Sequence, residues 1–222
     1  MSILVYSVSG APRPWRALLG LAFKGLTYET RILKASEGEH KAAPYLSVNP
    51  RGTVPTLVEG DTVMRDSIAA LAWLDRAYPD RPLFGESAEE AAYIWQRTTE
   101  FADYLRDACH GVLAPIFFHG ANAATPELVA AAETLRAEFA GLEKLLGQAP
   151  FLSGDRAGAA DAVAFPEVRL IQRAVETHTA LMTDLGLGSF SQDYPGLANW
   201  KGRIEALAGV AKTFPPHWKE AA

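Results

Sequence analysis

Two groups of residues in this chain are equipped for chemistry. The first is Asn49-Pro50-Arg51-Gly52-Thr53-Val54-Pro55-Thr56-Leu57. Proline fixes its own backbone angle and lacks an N–H, and the bond before it is the one common site for a cis peptide. A cis Val54-Pro55 bond would turn the N–H and C=O of Val54 outward, free to pair with an extended peptide. The second group is Asp66-Ser67. At the start of a helix these two offer a carboxylate, a hydroxyl and unpaired backbone N–H groups. An α-amine calls for a carboxylate, and an α-carboxylate calls for N–H and O–H donors. The two groups together fit a small peptide with an amine and a carboxylate at one end. Alone, Asp66-Ser67 would read as an ordinary helix cap; the Val54-Pro55 loop ahead of it turns the reading toward binding.

These residues need a scaffold, and the sequence outlines one. Ile3-Leu4-Val5-Tyr6 is a short apolar run of strand type. Pro12 to Lys24 reads as a helix, with Trp15, Leu18, Leu19 and Ala22 on one face. Its prolines suit the first turn, and Gly25 suits the stop. Thr27 to Leu33 is a second strand, and His40 to Leu46 a short helix or turn. Thr56-Leu57-Val58 and Thr62-Val63-Met64 form a hairpin about Glu59-Gly60-Asp61. Asp66 to Tyr78 is a helix. Pro79 to Ser87 has the composition of a linker.

After the linker, strand signals nearly vanish. Glu89 to Gly111 reads as a long helical stretch. Thr125-Pro126 is a hydroxyl cap with proline in the first turn. The helix that follows sets Leu128, Ala132, Leu135, Phe139, Leu142 and Leu146 on one face. Asp161 can reach back to free N–H groups at the start of another helix, and Tyr194 to Leu207 closes the set. An α/β half over residues 1–80 and an all-helical half over residues 88–222, with the linker at 79–87, make two domains.

The chain has 222 residues, 49% of them hydrophobic, and a net charge of −5. The acidic balance argues against a nucleic-acid partner. No apolar run is long enough to span a bilayer, and no basic start precedes an apolar stretch. Cys109 is the only cysteine, which excludes an internal disulfide and a cysteine-based metal cage. A reducing, cytoplasmic location is expected. His110 and His119 lack the carboxylates or cysteines a metal pair would need, so no metal is expected.

The order and the motifs together resemble the cytosolic glutathione transferases, over nearly the whole chain. The residues that carry the resemblance are Asn49-Pro50-x-Gly52-x-Val54-Pro55-x-Leu57 and Asp66-Ser67. Gly38-Glu39-His40-Lys41, Gly154-Asp155 with Ala160-Asp161, and Tyr194-Pro195 with Leu197 and Trp200 add to it. Gly38-Glu39-His40-Lys41 is most similar to the phi class, and Trp15-Arg16 to the zeta class. The resemblance implies a thioredoxin-like N-terminal domain and an all-α C-terminal domain. It implies an enzyme that attacks small electrophiles with the thiolate of glutathione, a co-substrate, and a homodimer without a membrane or nucleic-acid partner.

Residue by residue, the resemblance puts the γ-glutamyl group on Asp66 and Ser67 and the cysteinyl backbone on Val54, beside Pro55. His40 and Lys41 would face the glycine carboxylate, which otherwise goes unpaired. Thr53 stands where the family often has a longer Lys or Gln. Such enzymes must hold a thiolate at neutral pH. Lowering a thiol pKa from about 8.5 by about two units requires roughly 2.7 kcal/mol of differential stabilisation. The donor should lie between the first strand and the first helix, where Ser9, Ser7 and Tyr6 are candidates and Ser9 leads. The family's usual serine position falls on Ala11, so backbone N–H groups are the other candidate. Arg13 is a possible electrostatic helper. No cysteine occupies that turn, which disfavours thiol exchange, and Cys109 reads as a buried apolar residue. Tyr104, His110, Phe117 and Phe118 are expected around the second substrate. Two other readings stay open: a glutathione-dependent isomerase of the maleylacetoacetate type, although its Ser-Ser-Cys signature is missing, and a non-catalytic glutathione-binding or scaffold protein of the same fold.

Overall fold

The computed structural model describes residues 2–218. One compact unit comprises the residues up to Ala91 together with those from Glu205 onward, and the other is Ala92–Ile204. The closing segment therefore groups with the α/β unit rather than the helical one, unlike the single division expected near residue 88.

In the first unit, β1 (Ile3–Ser7) alternates buried and half-buried residues, as a strand against a core on one face must. Helix α1 (Pro12–Lys24) starts with its prolines in the first turn and ends at Gly25, which is left-handed at φ 69°. Trp15, Leu18, Leu19 and Ala22 are all buried. The crossover through α1 brings β2 (Tyr28–Ile32) parallel to β1. Helix α2 (Ala43–Leu46) leads to the hairpin of β3 (Thr56–Glu59) and β4 (Thr62–Met64), and β3 runs antiparallel to β1. The strand order is β2-β1-β3-β4. Helix α3 (Ser67–Ala77) follows, with Asp66 as its N-cap. Lys24 Nζ donates to the carbonyls of Tyr78, Asp80 and Arg81, tying the end of α1 to the chain leaving α3. Burial lowers the Lys24 pKa, opposed by Asp75 and Asp80.

The closing segment belongs here because Trp15 holds it. Trp15 Nε1 donates to Thr213 Oγ1 at 2.8 Å, and Thr213 Oγ1 donates to the Val210 carbonyl at 2.7 Å. The Trp15 ring meets Phe214 and Trp218 edge-on at 5.1 and 5.4 Å. Such pairs add to the area they bury.

The named elements of the second unit are all helices, with one isolated β-bridge between Phe151 and Gly154. Helix α4 (Ala88–Glu100) begins at the end of the first unit and passes into a π-helical turn at Phe101–Leu105. Helix α5 (Arg106–His119) follows directly. The helical stretch thus continues beyond Gly111, where a stop was expected. Gly111 serves close packing instead: a Cβ there would sit 3.3 Å from Cβ of Ala131. Helix α6 (Pro126–Leu146) is capped by Thr125, whose Oγ1 accepts from the Leu128 N–H, and all six residues of its predicted apolar face are buried. Helix α7 (Ala159–Thr177) is followed by α8 (Thr179–Asp184), α9 (Phe190–Asp193) and α10 (Pro195–Glu205).

Asp161 joins the loop before α7, the start of α7 and α10. Its fully buried carboxylate accepts from the N–H groups of Leu152, Ser153 and Gly158 and from the Trp200 indole at 2.7 Å. Burial pushes its pKa up, and those hydrogen bonds pull it back. Cys109 is fully buried in the same unit. Burial first, then Glu167 and Glu138, push its thiol well above the ordinary range, so it stays protonated. No helix among the described residues is long and apolar enough to cross a membrane.

Candidate functional site

Three loops of the first unit carry the expected binding residues, and hydrogen bonds from Lys41 and Arg65 tie the second and third to the first. The Asn49–Pro55 loop is shaped from within by Asn49, which is fully buried. Its Oδ1 accepts from the Arg51 N–H at 3.1 Å, an Asx turn, and its Nδ2 donates to the Thr53 carbonyl at 2.8 Å and to Thr56 Oγ1 at 3.1 Å. Tyr45, also buried, donates to the Thr53 carbonyl as well. The Val54-Pro55 peptide is cis. With Thr53 held from inside, the next residue faces outward. Among the described residues neither the N–H nor the C=O of Val54 has a protein partner. Pro55 is buried beneath it, and the Thr53 side chain is exposed.

The second loop carries His40 and Lys41 in a short 3-10 turn, Glu39–Lys41. Lys41 Nζ reaches the Asn49–Pro55 loop, donating to the carbonyls of Arg51 at 3.3 Å and Gly52 at 2.8 Å. His40 Nδ1 is buried without a hydrogen-bond partner. A buried polar atom left unpaired is costly, so a ligand group that reaches it would be favoured.

Gly52 permits this approach. Its φ is +58°, and a Cβ there would lie 2.7 Å from the His40 carbonyl oxygen and 2.9 Å from Lys41 Cδ. The carbonyl is backbone and cannot swing aside. Gly52→Ala should therefore cost about 3 kcal/mol of stability, combining left-handed strain with overpacking. The measurement is the denaturant midpoint, and an unchanged midpoint would contradict this packing.

The third loop enters α3. Asp66 Oδ1 accepts from the N–H groups of Ile68 at 2.8 Å and Ala69 at 3.0 Å. The cap is thus made by one oxygen, and Oδ2 is left for another partner. Ser67 is buried and makes no hydrogen bond through its hydroxyl with another described residue. Arg65 Nε donates to the Val48 carbonyl at 2.8 Å and ties this loop to the first.

The β1–α1 turn is adjacent in the sheet, since Tyr6 pairs with Thr56. Ser7 ends β1 and is buried, whereas Ser9 is half-exposed. Tyr6 packs against Tyr45, ring centroids 5.3 Å apart. Ala11 is the N-cap of α1 and supplies no side-chain cap, and no acidic residue lies in the first turn. The positive end of α1 is therefore not neutralised from within its own first turn. Ser9 Oγ lies 2.8 Å from Nδ1 of His217, a partner that no spacing in the sequence indicated.

The residues expected around a second substrate lie in the helical unit. Tyr104 sits in the π-helical turn, and His110, Phe117 and Phe118 sit on α5. All four are exposed, so His110 is not a core residue. Phe117 meets the His178 ring edge-on at 5.4 Å. Among the described residues no group of three or more His, Cys, Asp or Glu is placed to hold a metal ion.

Comparison with known proteins agrees across both units. Residues 11–77 match the family described as "Glutathione S-transferase, N-terminal domain", and residues 122–200 match "Glutathione S-transferase, C-terminal domain". The chain is 31% identical to human glutathione S-transferase theta-1 over 225 residues, spanning 92% of this chain and 88% of the relative. It is also 31% identical, over 167 residues, to the zeta-class enzyme of Euphorbia esula, covering 74% and 73% of the two chains. Among solved structures, a glutathione S-transferase from the Antarctic clam Laternula elliptica superposes with a TM-score of 0.83 at 29% identity, covering 99% of this chain and 95% of that one.

Proposed function

Because the chain belongs to the glutathione S-transferase family, a family of enzymes, we propose that it conjugates the thiolate of glutathione to small electrophiles, with Ser9 as the thiol-activating hydroxyl. The observation that carries the reading is the set of unpaired groups around one loop: the main chain of Val54, Oδ2 of Asp66 and the buried Nδ1 of His40.

In this reading Val54 pairs in antiparallel fashion with the cysteinyl backbone. Asp66 Oδ2 accepts from the γ-glutamyl amine, and Ser67 donates to the carboxylate beside it. His40 donates to the glycine carboxylate, and Lys41 adds a positive charge near it. Thr53 contributes through its exposed side chain. The half-exposed Ser9 hydroxyl and the uncapped N-terminus of α1 stabilise the sulfur as thiolate, and Arg13 adds to the field. The reaction then needs no covalent enzyme intermediate. Holding the thiolate against a bound electrophile supplies the rate. Tyr104, His110, Phe117 and Phe118 of the helical unit are the residues proposed to contact that electrophile.

The test is retention on immobilised glutathione, ultraviolet absorbance of bound thiolate at neutral pH, and turnover of an aryl halide. All three are expected. A chain that is not retained and shows no turnover overturns the reading; turnover of a cis-dienone acid alone would replace it with an isomerase. A homodimer in the cytoplasm, acting in detoxification, completes the proposal. Sedimentation of the 24.0 kDa chain as a monomer, or its recovery outside the cytoplasmic fraction, would remove the corresponding part.

A further inference from the structure

We propose that His217 is the positioning residue for Ser9. It donates from Nδ1 into the Ser9 oxygen, so the Ser9 O–H is left to point at the sulfur of bound glutathione. This rests on the reading of Ser9 as the thiol-activating group.

The geometry begins with the 2.8 Å contact between Ser9 Oγ and His217 Nδ1. A serine hydroxyl has one hydrogen and two lone pairs, and it turns freely unless a neighbour fixes it. Facing a thiolate, only the arrangement with the hydrogen toward sulfur helps. An imidazole that carries its proton on Nδ1 enforces that arrangement, because it fills a lone pair of Oγ and cannot accept the hydroxyl hydrogen. A hydroxyl that accepts a hydrogen bond is also a better donor, since chained hydrogen bonds polarise one another. No proton passes to the ring in this scheme. The thiol proton leaves for solvent, and the thiolate gains one oriented donor.

The pair is not explained by burial. His217 is exposed and Ser9 half-exposed, so water could satisfy both. Nor does the closing segment need this contact for its anchorage. Val210, Thr213 and Pro215 are buried, Thr213 is bonded to Trp15, and Phe214 and Trp218 pack on the Trp15 ring. These anchors flank His217 on the chain, and its ring lies against Gly10, with Cε1 3.2 Å from where a Cβ of that glycine would be. The segment is thus fixed by its own aromatic contacts, and His217 is the member that reaches the β1–α1 turn.

Three substitutions at one residue test the role. His217→Phe keeps a ring against Trp218 but has no nitrogen. His217→Asn puts an amide nitrogen near the position of Nδ1. His217→Ala removes both. The readouts are the ultraviolet absorbance of enzyme-bound glutathione thiolate at neutral pH, and kcat and KM for glutathione with an aryl halide. His217→Phe and His217→Ala are expected to reduce the thiolate signal and lower kcat about tenfold, the scale of one hydrogen bond to a charged group. KM for glutathione should stay within about twofold, since the lost interaction acts at the sulfur alone. His217→Asn should restore most of both. If all three variants keep the wild-type thiolate signal while Ser9→Ala loses it, the role of His217 is refuted and that of Ser9 stands. If Ser9→Ala itself keeps the signal, the Ser9 assignment falls and takes this proposal with it. If His217→Phe matches wild type and only His217→Ala fails, the ring is packing, and the positioning role is overturned.

Discussion

Asp161→Ala is expected to lower the unfolding free energy by about 4 kcal/mol, the sum of several buried groups left unpaired. The carboxylate accepts four hydrogen bonds. Its removal strands the N–H groups of Leu152, Ser153 and Gly158 and the indole of the fully buried Trp200. Each stranded donor costs about 1–3 kcal/mol, less whatever water relieves. The isosteric variant sharpens the test. Asn at this position keeps an oxygen for Leu152 and Trp200, but it turns an NH2 toward the N–H groups of Ser153 and Gly158. Asp161→Asn should therefore lose about half as much. Urea unfolding followed by tryptophan fluorescence is the measurement. A midpoint for Asp161→Ala within error of wild type would mean that the four bonds do not hold this unit together.

Asp66→Ala should weaken glutathione binding about a hundredfold, through loss of one charge-assisted contact and a looser helix start. The cap and the proposed ligand contact can be separated because the cap uses Oδ1 alone and the proposal assigns the ligand to Oδ2. Oδ1 accepts from Ile68 and Ala69. Asparagine caps as well as aspartate, so Asp66→Asn should leave stability within about 0.5 kcal/mol, the scale of the helix-dipole charge it gives up. It should still lose about tenfold or more in affinity, since a neutral amide cannot pair with the amine as a carboxylate does. Calorimetric titration with glutathione, beside thermal melts of both variants, gives the two numbers. Wild-type affinity in Asp66→Asn would reduce Asp66 to a helix cap.

Much of the first unit was legible because its signals are local. Prolines at Pro12 and Pro14 and the glycine at Gly25 bracket α1 through backbone sterics alone, and Asp66 marks the start of α3 by capping chemistry. The loop proposed to bind glutathione was legible for the same reason: Asn49, Gly52 and Pro55 each impose a turn on their own neighbours. The helical unit was harder. Gly111 and Pro115 look like stop signals, yet α5 runs through both, because Val112, Leu113 and Ile116 are buried on neighbouring helices and that burial outweighs local preference. The short helices α8 and α9 have too few residues to show a period. His217 was invisible for a different reason. It meets Ser9 across 208 positions, and no spacing in one sequence encodes a contact of that range. Which hydroxyl stays accessible was likewise undecided until Ser7 proved buried and Ser9 half-exposed.

Residues from Glu205 onward complete the same unit that β1 begins, so that unit is interrupted along the chain by the whole helical unit. The contacts of Trp15 with Thr213 and Phe214, which pack this unit, need residues made after the whole helical unit. The histidine that meets Ser9 arrives only after all of that unit has been translated. On the proposed reading, a chain translated only through the helical unit carries the loop proposed for the tripeptide but lacks the contact that orients Ser9.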